Sequence, residues 1–200
     1  MYMYSKEIEN YKKKLRLNRL QREVLVGILL GDACLETQNS GRTYRLKIEQ
    51  SEKHKAYLDH LYKIFENWML SEPHKRVVLR NGKESVNYAF STVSHGAFRF
   101  YAHLFYQDSK KKVPVLVHKF LTERSIAYWF MDDGSIKSKQ SKGVIFNTQA
   151  FCKEDVEKLV FVLQNKFQLQ CWLRKQKEGY QIYVSGESFR HFHQIVLPFI

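Results

Sequence analysis

Asp32 and Asp133 lie 101 positions apart, and each closes an apolar, helix-like run: VLVGILLGD over 24–32 and SIAYWFMDD over 125–133. A carboxylate at a helix C-terminus sits where the macrodipole and the free carbonyls are already negative. The cost is about 0.3–1 kcal/mol at a surface and more when partly buried. Helices this apolar must be buried, and the simplest way to bury two is against each other. Gly27, Gly31 and Ala127 would permit a close approach. Two such acidic ends brought together make a pocket that a divalent cation neutralises, with hard oxygen ligands suited to Mg²⁺. A single aspartate before a small residue more often just begins a turn. Its recurrence at the same place after two buried runs favours chemistry.

The elements that must position these acids also recur. After each aspartate comes a strand candidate ending in glutamine, RLKIEQS at Gln50 and VIFNTQA at Gln149. An amphipathic helix follows each: residues 54–68, and residues 154–167 with Val156, Leu159, Val160 and Leu163 at helical spacing. Each half then offers a hairpin. In the first, residues 76–80 and 83–91 flank Asn81-Gly82, a strong two-residue turn signal; in the second, residues 171–176 and 180–185 flank Glu178-Gly179. Both halves enter a closing helix with similar words, AFRFYAHLF from Ala97 and SFRHFHQIV from Ser188. The chain therefore reads as a tandem duplication, twice helix–strand–strand–helix–strand–strand–helix, an α+β fold. The expected organisation is a first half over 1–108, a polar, basic linker over 109–119, and a second half over 120–200.

Composition narrows the partner. The 200 residues carry a net charge of +13, with 44% hydrophobic and 14% aromatic residues, enough for a core and too apolar for disorder. The charge divides as +7 over residues 1–100 and +6 over 101–200, so the whole chain is basic and a polyanion is the expected partner. Apolar runs are far short of the ~20 residues of a membrane span. The three cysteines, with no CxxC spacing, argue against a disulfide framework or structural zinc and for a reducing, intracellular setting. Lysines outnumber arginines two to one, a weak hint of an A/T-rich coding genome such as an organelle's.

LVGILLGDA over 25–33 and IAYWFMDDG over 126–134 resemble the two LAGLIDADG motifs of a single-chain homing endonuclease of the intron-encoded organellar type. The resemblance covers nearly the whole chain and includes the segments KHKAYLDH at 53–60, KKVP at 111–114 and FNTQ at 146–149. It implies tandem αββαββα halves related by a pseudo-twofold, with the motif helices packed at their interface and antiparallel saddle sheets on the DNA major groove. It further implies a monomeric, Mg²⁺-dependent enzyme of the mitochondrion or chloroplast, making double-strand cuts at a long asymmetric site. Mn²⁺ would substitute, and Ca²⁺ would support binding only. By the resemblance Asp32 and Asp133 bind the catalytic metal, Gln50 and Gln149 support it, and Lys111 approaches one active site, where it could stabilise developing phosphorane charge.

Three departures qualify this. Tyr128 stands where the motif usually has a small residue, so close packing would rely on the Gly27 side. Asp132 could compete with Asp133 as ligand, although motif register favours Asp133. Aligning Phe98-Arg99 with Phe189-Arg190 places the counterpart of Lys111 at about position 202, beyond Ile200. Either the chain is truncated or one strand's site lacks its basic group, which implies slow or strand-biased cleavage.

Base reading would come from outward strand faces. Alternation turns Tyr44, Leu46 and Ile48 to the core, leaving Arg45, Lys47 and Glu49 outward. In the first hairpin Val77 and Leu79 are expected inward, with Arg76, Arg80, Ser85 and Asn87 outward and Arg80 opposite Lys83, a like-charge pair that suits a phosphate or guanine. Arg174, Gln176, Gln181 and Tyr183 match them in the second half, with Lys175 and Lys177 near the tip. Two other functions fit the same residues: an intron RNA maturase, and a catalytically impaired sequence-specific DNA-binding protein of the same fold.

Overall fold

The computed structural model describes residues 2–80, 83–138 and 140–200, with side chains for residues 6–79, 84–138 and 140–200. An amino-terminal helix α1 (Tyr2–Lys14) precedes the first repeat. That repeat runs α2 (Arg19–Leu30), β1 (Cys34–Glu36), β2 (Arg45–Ser51), α3 (Lys55–Phe65), β3 (His74–Arg80), β4 (Lys83–Ser91) and α4 (Arg99–Phe105). A short hairpin, β5 (Tyr106–Gln107) and β6 (Lys110–Lys111), and the short helix α5 (Val117–Phe120) follow. The second repeat is α6 (Glu123–Asp133), β7 (Gly134–Ile136), β8 (Val144–Phe146), α7 (Lys153–Asn165), β9 (Cys171–Gln176), β10 (Gly179–Val184) and α8 (Phe189–Val196). The two four-stranded sheets have the same order, β1-β2-β4-β3 and β7-β8-β10-β9, with every pair antiparallel. The expected αββαββα repeat is thus present twice.

The chain forms two compact units. One comprises residues 1–22 and 33–102, the other residues 23–32 and 103–200, so the division runs through α2. In the first unit, period-two burial sets the sheet: Leu46, Ile48 and Gln50 are buried while Arg45, Lys47 and Glu49 stay partly exposed. Beneath it Leu58, Leu61 and Phe65 of α3 pack at helical spacing, fully buried with Trp68. The first turn of α2 is tied into this core by Gln21, whose Nε2 donates to the Ile64 carbonyl at 2.8 Å and whose Oε1 accepts from Trp68 Nε1 at 3.3 Å.

In the second unit α7 buries Val156, Leu159, Val162 and Leu163. Trp129 stacks on Phe146 with ring centroids 4.2 Å apart, joining α6 to β8. Helix α6 starts where the Thr122 hydroxyl accepts from the Ser125 amide at 3.2 Å.

Three expectations of local structure are corrected. Val77 and Leu79 share the core-side face by register, paired with Val86 and Glu84, yet they are 59% and 71% exposed. The second strand of the second half ends at Phe146, three residues before Gln149. There Asn147 and Thr148 turn their side chains onto the Asp133 and Tyr180 carbonyls, and the Phe151 amide closes a turn on Thr148. The second hairpin pairs Gln176 with Gly179, so its turn is Lys177-Glu178. Gly179, at φ +137°, starts the return strand instead of completing the turn. The first hairpin keeps its expected register, with Arg80 opposite Lys83. Its Asn81-Gly82 turn, and the Arg80 and Lys83 side chains, lie outside the described residues. The linker is more ordered than a solvated basic run: Asp108 and Ser109, both at positive φ, turn Tyr106–Gln107 back onto Lys110–Lys111.

Candidate active site

The close approach of the two motif helices is carried by glycine, and it falls within the second unit. A Cβ on Gly27 would collide with the Ser125 carbonyl oxygen and lie 3.0 Å from Tyr128 Cβ; one on Gly31 would collide with Asp132 Cβ. Residues 24–30 of α2 and Ser125–Trp129 of α6 are buried around this contact. The bulky Tyr128 is accommodated because Gly27 faces it, as the sequence required. Two polar links fix the register: Ser125 Oγ donates to the Glu23 carbonyl at 2.8 Å, and Arg124 Nη1 meets Glu23 Oε2 at 2.6 Å.

At the far end of this contact the acids gather. The Asp32 amide donates to Asp132 Oδ2 at 3.1 Å, so Asp132 is turned onto the end of α2. Asp133 is mostly buried. That burial first, and then the Asp32 charge, push its carboxyl up to about 7, while Lys111 pulls it down. The Lys111 ammonium reaches the same place, donating to the Gly31 carbonyl at 2.6 Å. The structure therefore brings Asp32, Asp133 and Lys111 together.

The donor chemistry fits a divalent cation. Burial and the neighbouring Asp32 charge both disfavour ionisation of Asp133, more than Lys111 offsets, so a cation would be favoured there, and the carboxylates and helix-end carbonyls that could hold it are hard oxygens. Among the described residues no three side chains of His, Cys, Asp or Glu form a ligand set, so helix-end carbonyls would have to complete one.

Gln149 occupies the turn after β8, where its backbone lies against Gly179. The polar side chain bonded to the Asp133 backbone is that of Asn147, unremarked in the sequence. Its backbone amide and its Nδ2 both donate to the Asp133 carbonyl at 2.9 Å, and its Oδ1 accepts from Gln181 Nε2 at 2.7 Å. The FNTQ segment held the signal, since Asn147 is its second residue. Gln50 belongs to the first unit, buried on β2 opposite Tyr88.

The outward sheet faces carry the expected polar side chains. In the first unit Arg45 and Lys47 converge on Glu36 at 2.8 and 3.2 Å, and Arg76 and Asn87 on Glu49 at 2.7 and 2.8 Å. These acids hold basic and amide groups at set positions on the sheet surface. In the second unit Arg174, Gln176, Gln181 and Tyr183 share one face. Lys175 falls on the opposite face near the tip, and Lys177 is in the turn. Sequence reading missed Trp172, which is 49% exposed, lies directly across from Tyr183 with ring centroids 5.0 Å apart, and belongs to the same outward face. It also missed Lys137, whose ammonium sits 5.1 Å from the Tyr183 ring centroid. An aromatic at an outward position of β9 was the available signal.

Duplicated αββαββα units, glycine-mediated contact between the motif helices and acids gathered at its end define the homing-endonuclease class of fold. Residues 22–192 match the LAGLIDADG DNA endonuclease family. The chain is 34% identical over 203 residues to a protein named probable intron-encoded endonuclease 1 from Wickerhamomyces canadensis, covering 98% of this chain and 87% of that one. It is 29% identical to the DNA endonuclease I-ChuI of Chlamydomonas applanata, covering 93% of each. In three dimensions it is similar to the homing endonuclease I-WcaI, solved bound to its DNA recognition sequence, with a TM-score of 0.91, 32% identity, and coverage of 96% of this chain and 88% of that one. The chain belongs to the LAGLIDADG DNA endonuclease family.

Proposed function

We propose that this DNA endonuclease cuts both strands of a long, asymmetric duplex site in a reaction that depends on a divalent cation, with Mg²⁺ the working ion, Mn²⁺ a substitute and Ca²⁺ supporting binding only. The observation that supports the reading is the gathering of Asp32, Asp133 and the Lys111 ammonium at the glycine-packed ends of α2 and α6. Asp32 and Asp133, with helix-end carbonyls, would hold the cation, which when bound lowers the pKa of an attacking water and stabilises the leaving 3′ oxygen. The remaining tasks fall to the protein. Asp133 gives up its proton near neutral pH, so ionisation and cation binding favour each other. Lys111 offers positive charge to the phosphate as negative charge develops on it. Asn147 fixes the Asp133 backbone, and Gln50 and Gln149 are assigned supporting roles around water and phosphate.

The two halves, 1–108 and 120–200 with the linker 109–119, would grip one duplex through their outward strand faces. Arg45, Lys47, Arg76, Arg80, Lys83 and Asn87 would contact it from the first half, and Arg174, Lys175, Gln176, Lys177, Gln181 and Tyr183 from the second. The net charge of +13 supplies the salt-dependent part of that grip. We read the protein as a monomer working in a mitochondrion or chloroplast. Among the described residues no helix is long and apolar enough to cross a membrane.

The test is selection of cleaved sites from a randomised duplex library, run in parallel with Mg²⁺ and Ca²⁺. A single asymmetric site cut in Mg²⁺ and only bound in Ca²⁺ is the expected result. Binding without cutting in Mg²⁺ would instead make this a sequence-specific DNA-binding protein of the same fold, and preferential binding of structured intron RNA would make it a maturase.

A further inference from the structure

Asp155 is a buried carboxylate that the proposed reaction does not use. It lies in the first turn of α7, is 6% exposed, and spends both oxygens: Oδ1 accepts from Lys158 Nζ at 2.7 Å and Oδ2 from the Val113 amide at 2.9 Å. An acid at this helix position ordinarily reaches back to satisfy the amide of its own N-cap residue, here Cys152. Asp155 instead reaches across 42 residues to the linker. Burying a carboxylate is costly unless it is fully hydrogen-bonded, so this placement is stable only with both partners present.

The amide it holds is two residues after Lys111. Between them the strand β6 is pinned by its pairing of Lys111 with Tyr106, and the Lys112 amide donates to the Phe105 carbonyl at 2.8 Å. Val113 is fully buried. The chain on either side of Lys111 is therefore clamped, on one side by a two-residue hairpin and on the other by Asp155. From this clamped backbone the Lys111 side chain reaches the Gly31 carbonyl.

We propose that Asp155 is a positioning residue for Lys111, holding the linker backbone so that the Lys111 ammonium points at the acidic end of α2. The inference rests on the endonuclease reading, in which Lys111 serves one strand cut. Asp155 touches neither substrate nor reacting atoms. A misplacement of about 1 Å in a catalytic group costs on the order of a hundredfold in rate, which bounds the expected effect.

The test uses the full chain and a duplex site recovered from the library. Single-turnover cleavage of each strand is measured for the unaltered protein, Asp155→Ala, Asp155→Asn, Lys111→Met and Asp155→Ala combined with Lys111→Met. DNA affinity is measured separately in Ca²⁺, and circular dichroism confirms folding. Asp155→Ala is expected to slow one strand cut by about tenfold to a hundredfold, with affinity within about twofold of the unaltered protein. Asp155→Asn keeps an oxygen for the Val113 amide and should recover most of the loss. In the Lys111→Met background, Asp155→Ala should cost little more, because the group it positions is gone. Independent, multiplying losses would overturn the proposal, as would equal slowing of both strands. If Asp155→Ala does not fold, Asp155→Asn decides: its failure to cut in a folded, DNA-bound protein overturns the proposal, and near-normal cutting supports it. Failure of the unaltered protein to cut any duplex would reject the endonuclease reading, and this inference with it.

Discussion

Replacing Asp133 by asparagine should remove cleavage and yet make the cation-free protein more stable at alkaline pH. The Asp133 carboxyl is raised from 3.8 to about 7 by its burial and by Asp32. Because the native value lies above the unfolded one, the folded state binds more protons between roughly pH 4 and 7. The penalty is absent below about pH 4, grows through that window as the carboxyl is forced to ionise, and is complete above about pH 7. Three units correspond to about 4 kcal/mol, and partial exposure of the group and solvent screening reduce this to about 1–2 kcal/mol. Asparagine fills the same space without charge, so in EDTA at pH 8 the variant should unfold later by about 1–2 kcal/mol. For a chain of this size that is a rise of roughly 2–8 °C in Tm. At pH 4 the two proteins should melt together. Thermal unfolding across pH 4–8 with chelator measures this directly. A variant no more stable at pH 8, or one whose difference does not change with pH, would refute the argument that like charge and burial strain this carboxyl.

The same linkage predicts that a divalent cation raises Tm more at pH 8 than at pH 5.5, since it competes with the Asp133 proton. The shift should vanish when Asp32 and Asp133 are both asparagine. Gly27→Ala should destabilise the protein by about 1–3 kcal/mol through overpacking against the Ser125 carbonyl, read as a lower urea midpoint. Loss of less than about 0.5 kcal/mol would mean that the helices can separate at little cost. DNA affinity should fall linearly with salt on a log–log plot, and Arg76→Gln should make that line shallower if Arg76 leaves Glu49 for a phosphate.

Much of the fold was legible because the repeat is written twice. The apolar runs before Asp32 and Asp133 and the alternation in β2 each reported a local preference that the tertiary structure did not override, and the pairing of Arg80 with Lys83 keeps the register expected of the first hairpin. Alternation gave the face of Val77 and Leu79 correctly. It could not tell whether anything packs beneath that face, and these side chains remain exposed. The Lys177-Glu178 turn was missed by one residue because Gly179, read as a turn glycine, supplies its positive φ at the start of the return strand. The ordered β5–β6 turn was illegible because it uses Asp108 and Ser109 in the left-handed region, where glycine would have been the visible sign. At the site, the acids and Lys111 could be picked out from motif register. Asn147 and Asp155 could not, because their roles depend on hydrogen bonds to backbone groups 14 and 42 residues away.

The unit that holds both acids is assembled from two separated stretches of chain, 23–32 and 103–200. Asp32 and Asp132 meet across 100 residues of sequence. During synthesis the apolar segment from Val24 to Leu30 emerges long before the helix that covers it, and loop closure over such a distance is slow. For that interval a sticky, uncovered segment is exposed to other chains. The nascent protein should thus be most vulnerable to aggregation, and most dependent on chaperones, between emergence of α2 and completion of α6.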